Sequence, residues 1–223
     1  MSSLFPGYTH IVNPKLKHIY LTFDANGDLI IKSPKVSLKH IEHLLLKKAE
    51  WIQSSRAKIQ NKKGKPLDFL GNNCLYYLGE QYTLELVAHS QKITRLEFDG
   101  TAFILFYHSY NPLLFQAHID RFYADKAKML FPPLVKEWSK KMQLSPSAIK
   151  FRKTRRQWGS CNGKNAVSFN TMAMKLPLCV IHYLIVHELA HIKYKHHRKS
   201  FWQFVAQHMA DYKTHIAELK TYI

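Results

Sequence analysis

Residues 186–202 read VHELAHIKYKHHRKSFW and hold the densest group of histidines in the chain. Five residues that can bind a metal or carry a proton fall within eleven positions: His187, Glu188, His191, His196 and His197. An α-helix rises about 1.5 Å and turns about 100° per residue, so His187 and His191 would lie about 6 Å apart along a helix axis and about 40° apart around it. Both imidazoles can therefore reach one metal ion.

Glu188 directly follows the first of these histidines. A carboxylate at that position flanks the ion rather than binding it, and can take a proton from the water that the ion activates. This is the H-E-x-x-H arrangement of zinc metalloproteases. The six preceding residues, IHYLIV, are mostly apolar, which predicts a buried helix. Buried histidines and a buried glutamate need partners, and a metal ion would supply one to all of them.

The third metal ligand must come from outside this helical pair, because a catalytic zinc ion usually takes three protein ligands and leaves one position for water. His197 follows the second histidine by six residues, the spacing of the metzincin pattern, but Tyr194 stands at the metzincin glycine. Spacing alone leaves three alternatives open: His196, Glu218 and Asp211.

The composition limits the class of protein. A chain of 223 residues with 46% hydrophobic content can bury a core as one large domain or two closely packed subdomains. Its three cysteines form no C-x-x-C pair, which argues for reduced thiols rather than a secreted disulfide scaffold. The sequence shows neither a signal peptide nor a membrane span, and we expect a cytoplasmic protein.

The net charge of +18 favours encounters with polyanions, although scattered lysines are also typical of an ordinary solvated surface. Nucleic acid bound through this basic surface is therefore one candidate partner. Arg152, Arg155 and Arg156 form the tightest arginine cluster and are the better candidates for a specific anion contact. The same arginines would suit a nucleotide substrate. The sequence gives no prediction of the oligomeric state.

The first 111 residues are predicted to form a β-rich subdomain with one helix. Alternating apolar residues on both sides of Asn26-Gly27 predict a hairpin. Helical spacing after a cap at Ser37 predicts a helix from Leu38 to Gln60. Four further strands are predicted at 75–78, 82–87, 93–98 and 102–107, the last two joined across Asp99-Gly100.

Residues 112–223 are predicted to form the catalytic subdomain, which packs beside the first or merges with it. A long helical pattern from Asn111 should be interrupted at Pro132-Pro133 and continue from Leu134 to Met142. Two strands around Asn162-Gly163 follow, and then helices at about 178–194 and 199–222. The predicted fold class is therefore α+β, with H-E-x-x-H on a buried helix beside a short antiparallel sheet.

Three motifs together resemble the YgjP-like metallopeptidase family, which is related to SprT-like and other zincin-type proteins. They are RRQWGSCNGKNAVSFN at 155–170, IHYLIVHELAHIKYKHHRKSFW at 181–202 and ADYK at 210–213. The resemblance also includes the N-terminal hairpin and KKAEWI at 47–52, so it covers most of the chain.

The resemblance implies a zincin-like hydrolase with one Zn²⁺ ion, for which another divalent metal is an alternative. His187, His191 and His197 match the family's ligand positions, and Glu188 matches its general base. The family's H-x-x-x-F-W ending is present at 197–202 and is the reason to prefer His197 over His196. The implied reaction is hydrolysis of amide bonds in a peptide or protein substrate.

Several nearby residues are candidates for contacts to the substrate or the transition state. Tyr183, Arg155 or Arg156 would donate to the developing oxyanion. The strand before W-G-S-C would pair with an extended peptide, and Trp158 would either contact the substrate or pack in the core. Cys161 would be a nucleophile, an extra ligand or an ordinary buried thiol. Two other functions stay open: a metal-dependent phosphohydrolase acting on nucleoside triphosphates, and a metal-stabilised module that binds nucleic acid.

Overall fold

The computed structural model describes residues 7–24, 28–60, 67, 69, 71, 73–154 and 157–222, without the side chains of 58–60. The chain divides into two compact units, Met1–Lys65 and Pro66–Tyr222. Each unit has a hydrophobic core of its own. The predicted α+β class is confirmed, since six α-helices and three small sheets are present in the described residues. None of the helices in these ranges is long and apolar enough to cross a membrane.

The first unit contains a three-stranded sheet of β1 (Tyr8–Val12), β2 (Tyr20–Phe23) and β3 (Leu29–Ser33). Strands β2 and β3 pair antiparallel, as the predicted hairpin requires, while the Asn26-Gly27 turn lies outside the described residues. Strand β1 was not predicted and pairs parallel with β3, which becomes the central strand.

The predicted helix of 38–60 is instead two helices, α1 (Leu38–Lys47) and α2 (Ala49–Gln60). Ser37 caps α1 as predicted, its side chain accepting a hydrogen bond from the His40 N–H. Lys48 leaves the helical conformation with φ −107° and ψ 9°. The sequence around this break, Lys-Lys-Ala, consists of good helix formers, so helix propensity could not reveal it.

The second unit begins with a four-stranded sheet, in the order β4-β5-β7-β6. Its strands are β4 (Cys74–Tyr77), β5 (Glu80–Ala88), β6 (Arg95–Phe98) and β7 (Ala102–Tyr107). The predicted hairpin of β6 and β7 is present, and Gly100 in its turn has φ +98°, a conformation that favours glycine.

A single helix, α3 (Pro112–Met142), follows the sheet and runs through Pro132 and Pro133, so the predicted interruption is wrong. An interior proline costs a helix about 3 kcal/mol or more. This cost is offset by core contacts on both sides of the prolines, because Phe131 and Val135 are fully buried.

The packing of α3 also explains where the chain divides. The sequence placed a boundary between 111 and 112, whereas the compact units meet between 65 and 66. The sheet β4–β7 shares one core with α3, in which Phe103 and Phe115 are both fully buried. In addition, the Tyr123 hydroxyl on α3 donates to the Tyr76 carbonyl on β4 at 2.6 Å.

The rest of the second unit is a three-stranded sheet followed by helices. Strands β8 (Ala148–Arg152), β9 (Gly159–Cys161) and β10 (Ala166–Asn170) are arranged in the order β8-β10-β9. Strands β9 and β10 form the predicted antiparallel hairpin, whereas β8 is an additional strand parallel to β10. The short sheet is therefore mixed, and β9 is a terminal strand.

After a short 3₁₀ helix at Thr171–Lys175, the chain continues as α4 (Leu178–Lys193), α5 (Lys199–His208) and α6 (Tyr212–Lys220). The predicted helix of 199–222 is therefore two helices, separated at 209–211. Helix α4 is buried along most of its length, as the run IHYLIV predicts. Strand β9 packs against α4, and this contact places the sheet beside the H-E-x-x-H motif.

Candidate metal centre

Three histidine side chains converge at the C-terminal end of α4. His187 and His191 lie on the helix, and His197 lies in the segment 194–198 that follows it. One ring nitrogen from each lies within 4.8 Å of the other two, and no other such group of three occurs in the described part of the chain. The Nε2 atoms of His187 and His197 are 3.0 Å apart. Two nitrogens bound tetrahedrally to one zinc ion are about 3.4 Å apart, so this spacing suits a shared ion.

The two helical histidines are oriented through their other ring nitrogens. The Nδ1 atom of His187 lies 3.2 Å from the Tyr183 hydroxyl, and Nδ1 of His191 lies 2.9 Å from the Tyr194 carbonyl. With the proton on Nδ1, each ring leaves the lone pair of Nε2 free for a metal. Hydrogen bonds of this kind are the usual outer support of metal-binding histidines.

His197 is held by the aromatic residues that follow it. The Trp202 indole stacks on the His197 ring, with 5.7 Å between centroids and an angle of 29°, and its Nε1 donates to the His197 carbonyl at 3.0 Å. Phe201 stacks on His191 with 4.6 Å between centroids. The F-W pair of the sequence therefore positions two of the three histidines.

The rival third ligands lie elsewhere. His196 is exposed, and its Nδ1 accepts from the Arg198 N–H. Asp211, which directly precedes α6, has its Oδ2 atom 3.2 Å from Nε2 of His215. Neither of these residues nor Glu218 belongs to the group of close ligand atoms among the described residues.

The Glu188 carboxyl lies beside the three histidines and is only 4% exposed. Its Oε2 atom makes no hydrogen bond within the described part of the chain. Burial raises the pKa of Glu188 to about 8, because the charged form loses contact with water. Burial, together with His191 and His197, lowers the pKa of His187 to about 3. His187 is therefore neutral, the form in which imidazole binds a metal.

Strand β9 passes directly over the Glu188 carboxyl at Gly159. A Cβ atom at Gly159 would lie 2.5 Å from Oε1 and 2.7 Å from Cδ of Glu188, so only glycine permits this approach. The strand and the helix enclose a cavity of about 470 Å³. Its walls include Ser160 and Cys161 of β9, and Glu188 lies in it beside the three histidines.

Comparison with known protein families identifies the family of this chain. The profile described as "YgjP-like, metallopeptidase domain" matches residues 17–222. The chain belongs to the YgjP-like metallopeptidase family. It is therefore a hydrolase, and membership of a metallopeptidase family implies a divalent metal. The comparison with curated proteins gives no match.

A solved structure is also similar to part of this metallopeptidase. It is the crystal structure of the metallopeptidase zymogen of Pyrococcus abyssi abylysin, with 18% sequence identity and a TM-score of 0.38. The match covers 41% of this chain and 92% of the other.

The residues of this YgjP-like protein fit a divalent metal on three observations. Three imidazole nitrogens converge, the two helical rings are fixed through Nδ1, and a buried carboxyl oxygen without a hydrogen bond within the described chain lies in the same cavity. A nitrogen-rich ligand set of this kind favours zinc over calcium or magnesium, which prefer oxygen ligands.

Asn170 supports the loop before β9 and was not singled out by the sequence patterns. Its Nδ2 donates to the carbonyls of Thr154 (2.8 Å) and Gln157 (3.1 Å), and its backbone N–H donates to the Trp158 carbonyl at 2.7 Å. The side-chain oxygen also caps the 3₁₀ helix by accepting from the Met172 N–H. A capping asparagine is recognisable from sequence, but its contacts across the loop are not.

Lys195 is a second supporting residue that the sequence patterns did not indicate. Its ammonium group donates to Asn165 Oδ1 at 2.7 Å, to the Asn162 carbonyl at 3.0 Å and to Cys161 Sγ at 3.5 Å. The segment that holds His197 is thereby tied to the turn after β9. Cys161 lines the cavity, and burial raises the pKa of its thiol, so it is not an activated thiolate.

The remaining predicted contacts have different positions. Arg152 donates to the Ser160 hydroxyl at 2.8 Å and so contacts a wall of the cavity. Arg155 and Arg156 lie outside the described residues. Trp158 is partly buried against the core. The Tyr183 hydroxyl lies behind His187, on the Nδ1 side of the ring, so it supports a histidine rather than facing a developing oxyanion.

Proposed function

We propose that this protein is a zinc-dependent peptidase in which His187, His191 and His197 hold one Zn²⁺ ion and Glu188 is the general base. One observation supports this proposal above all others. The nitrogens of three imidazoles and a buried carboxyl group share one cavity, under a strand that leaves room for the carboxyl through Gly159. We also retain the cytoplasm as its proposed location, because all three cysteines are free thiols.

The chemistry follows from the position of Glu188. A bound Zn²⁺ ion would polarise the scissile carbonyl and lower the pKa of water toward about 7. The positive charge of the bound ion would favour the ionised form of Glu188, whose carboxylate would take the proton of the attacking water and later pass it to the leaving amine. Its burial favours this second step, because a desolvated carboxyl holds a proton more readily than an exposed one.

The substrate would bind as an extended strand along β9. This strand is the terminal one of its sheet, and it forms one wall of the cavity that contains the histidines. Main-chain hydrogen bonds to such an edge give affinity for a peptide without regard to most of its side chains. The scissile bond would then lie between β9 and α4.

Phosphohydrolase activity and nucleic-acid binding have less support than peptidase activity. The first depended on three arginines, of which Arg152 is engaged with Ser160 and the other two are outside the described residues. The second depended on net charge alone. No contact among the described residues favours either function over a peptidase.

The test combines metal content with turnover. Wild-type protein purified without chelator should contain about one zinc ion per chain by elemental analysis, and His191→Ala should contain little. Glu188→Gln should fold and keep its zinc but lose at least about 100-fold in the rate of cleavage of an unfolded protein. Nucleoside triphosphates serve as the comparison substrate. Undiminished turnover by zinc-loaded Glu188→Gln would contradict the mechanism, and a wild type unable to bind zinc would contradict the proposal as a whole.

A further inference from the structure

A second and smaller cavity of about 180 Å³ opens beside the metal centre. Gly159, His187 and Glu188 line both this cavity and the larger one. The other walls come from three separate elements: Trp158 before β9, Tyr183 and Leu184 on α4, and Leu219 on α6. The small cavity therefore starts at the general base and extends away from the histidines toward the C-terminal helix.

The walls that are not shared with the metal centre are mainly apolar. Leu184 is 3% exposed, and Trp158 and Leu219 are both packed against the hydrophobic core. The polar side-chain groups that these walls add are the Tyr183 hydroxyl, which is already engaged with His187, and the indole N–H of Trp158. An apolar cavity of roughly 150 Å³ is large enough to accept a benzene ring. The small cavity thus has the size and chemistry for a leucine, methionine or phenylalanine side chain.

The position of the cavity connects it to the reacting bond. Leu184 lies one helical turn before Glu188, so the two side chains are neighbours on the same face of α4. In an extended peptide, successive side chains point to opposite faces. A residue next to the scissile bond, in a peptide paired with β9, therefore has its side chain directed toward α4 and this cavity.

We propose that this cavity is a specificity subsite that selects peptides with a large apolar residue next to the scissile bond. The inference rests on the proposed peptidase function and adds the substrate class. The subsite is built in advance of binding, because its walls are already packed. The Asn170 N–H donates to the Trp158 carbonyl at 2.7 Å, and Trp158, Leu184 and Leu219 belong to the same hydrophobic core.

Substitutions at Leu219 test the subsite without touching the metal centre. Wild-type protein should cleave a peptide library before or after leucine, methionine or phenylalanine at least about tenfold more efficiently than at alanine, in kcat/KM read by mass spectrometry. Leu219→Trp fills the cavity and should remove most of this preference. Leu219→Ala enlarges it and should raise relative cleavage at tryptophan. The matched control is Ala217→Trp, which adds the same side chain at an exposed position of α6 and should keep the wild-type preference.

A binding measurement separates failure of the subsite from failure of the proposed function. Glycine hydroxamate and leucine hydroxamate present the same chelating group, and only the second has an apolar side chain. Zinc-loaded wild type should bind leucine hydroxamate at least about tenfold more tightly, and Leu219→Trp should bind the two within about threefold. Equal affinities in wild type would overturn the subsite while leaving the peptidase proposal intact. Failure to take up zinc or bind either hydroxamate would overturn both.

Discussion

Helix α4 and the segment 194–198 contribute to the same metal centre in different ways. The helix fixes His187 and His191 by its own geometry, and buried neighbours surround them. The segment that holds His197 is exposed and depends on contacts from elsewhere, namely the Trp202 ring and its N–H. The difference shows that two ligands are set by the geometry of one helix and the third by contacts between an irregular segment and the helix that follows it. Removing a contact that supports the segment should therefore lower zinc affinity more than removing a contact that supports a histidine of the helix.

The largest effect should come from removing the third ligand itself. His197→Ala leaves two nitrogens of the group, and we expect zinc affinity to fall by more than about 100-fold, beyond the range that is typical of supporting residues. The matched control is His196→Ala, an adjacent histidine that accepts from the Arg198 N–H, lies beside the Tyr194 ring and is outside the group of converging ligand atoms. Competition with a chromogenic chelator measures both affinities. Equal losses in the two variants would contradict the assignment of His197.

The next effect should come from the contact between strand β9 and helix α4. Gly159→Ala places a Cβ atom 2.5 Å from Glu188 Oε1, so either the strand or the carboxyl must shift. A displacement of about 1 Å in a catalytic group costs about 100-fold in rate, and we expect a loss of turnover of that order with zinc content unchanged.

Gly163→Ala is the control for this prediction. Gly163 lies in the turn of the same hairpin, and an added Cβ would meet no atom within 4 Å. Turnover should stay within about threefold of wild type. If Gly159→Ala behaved like this control, Glu188 would not need the space beneath the strand.

Removing one supporting contact from each region should have a smaller effect on zinc affinity and compares the helix with the segment directly. Trp202→Phe keeps an aromatic ring next to His197 but removes the N–H that binds its carbonyl, and we expect zinc affinity to fall about tenfold. Tyr183→Phe removes the hydroxyl beside His187, and the loss should be smaller because the helix backbone still holds that histidine. The same chelator competition measures both variants. A larger loss for Tyr183→Phe would reverse the comparison between helix and segment.

Sequence-based prediction also worked better for regular elements, such as helix α4, than for the segment 194–198. The pairing of His187 with His191 follows from helical periodicity, and the hairpins follow from turns such as Asp99-Gly100. The site residues themselves stay predictions until metal and turnover are measured. His197 was preferred over His196 through a family resemblance, because spacing does not determine where an irregular segment folds. Its stacking on Trp202 is a contact between an irregular segment and the following helix, which helical periodicity does not predict.

The features that the sequence did not predict depend on contacts between distant parts of the chain. Proline at 132 and 133 predicts a helix break, but α3 is continuous because residues on both sides are buried in one core. The same core joins α3 to the sheet β4–β7, so these elements belong to one compact unit, Pro66–Tyr222. Asn170 and Lys195 were missed because their partners lie as far as 34 residues away in sequence.

The smallest effect concerns a histidine of α4 that lies outside the metal centre. His182 accepts a hydrogen bond at Nδ1 from the Trp138 indole of α3, at 2.8 Å, so it is neutral in the native fold. Its pKa is lowered by burial first and then by Lys141 and His215, while Glu137 opposes the shift. Since the unfolded chain takes up this proton more readily, the stabilisation is present above pH 6.5 and is lost as pH falls through the lower native pKa.

His182→Gln tests this contribution, because glutamine can accept from Trp138 and does not titrate. Both proteins should be stripped of metal and unfolded by urea at pH 7.5 and 5.5. We expect the wild type to lose more of its free energy of unfolding than the variant over this interval, by an amount that is small because His182 is only partly buried. Other histidines contribute equally to the two proteins, so the difference isolates this one side chain. Equal losses of the free energy of unfolding in the two proteins would mean that the hydrogen bond from Trp138 does not require a neutral His182. In that respect it would differ from the contacts of His187 and His191.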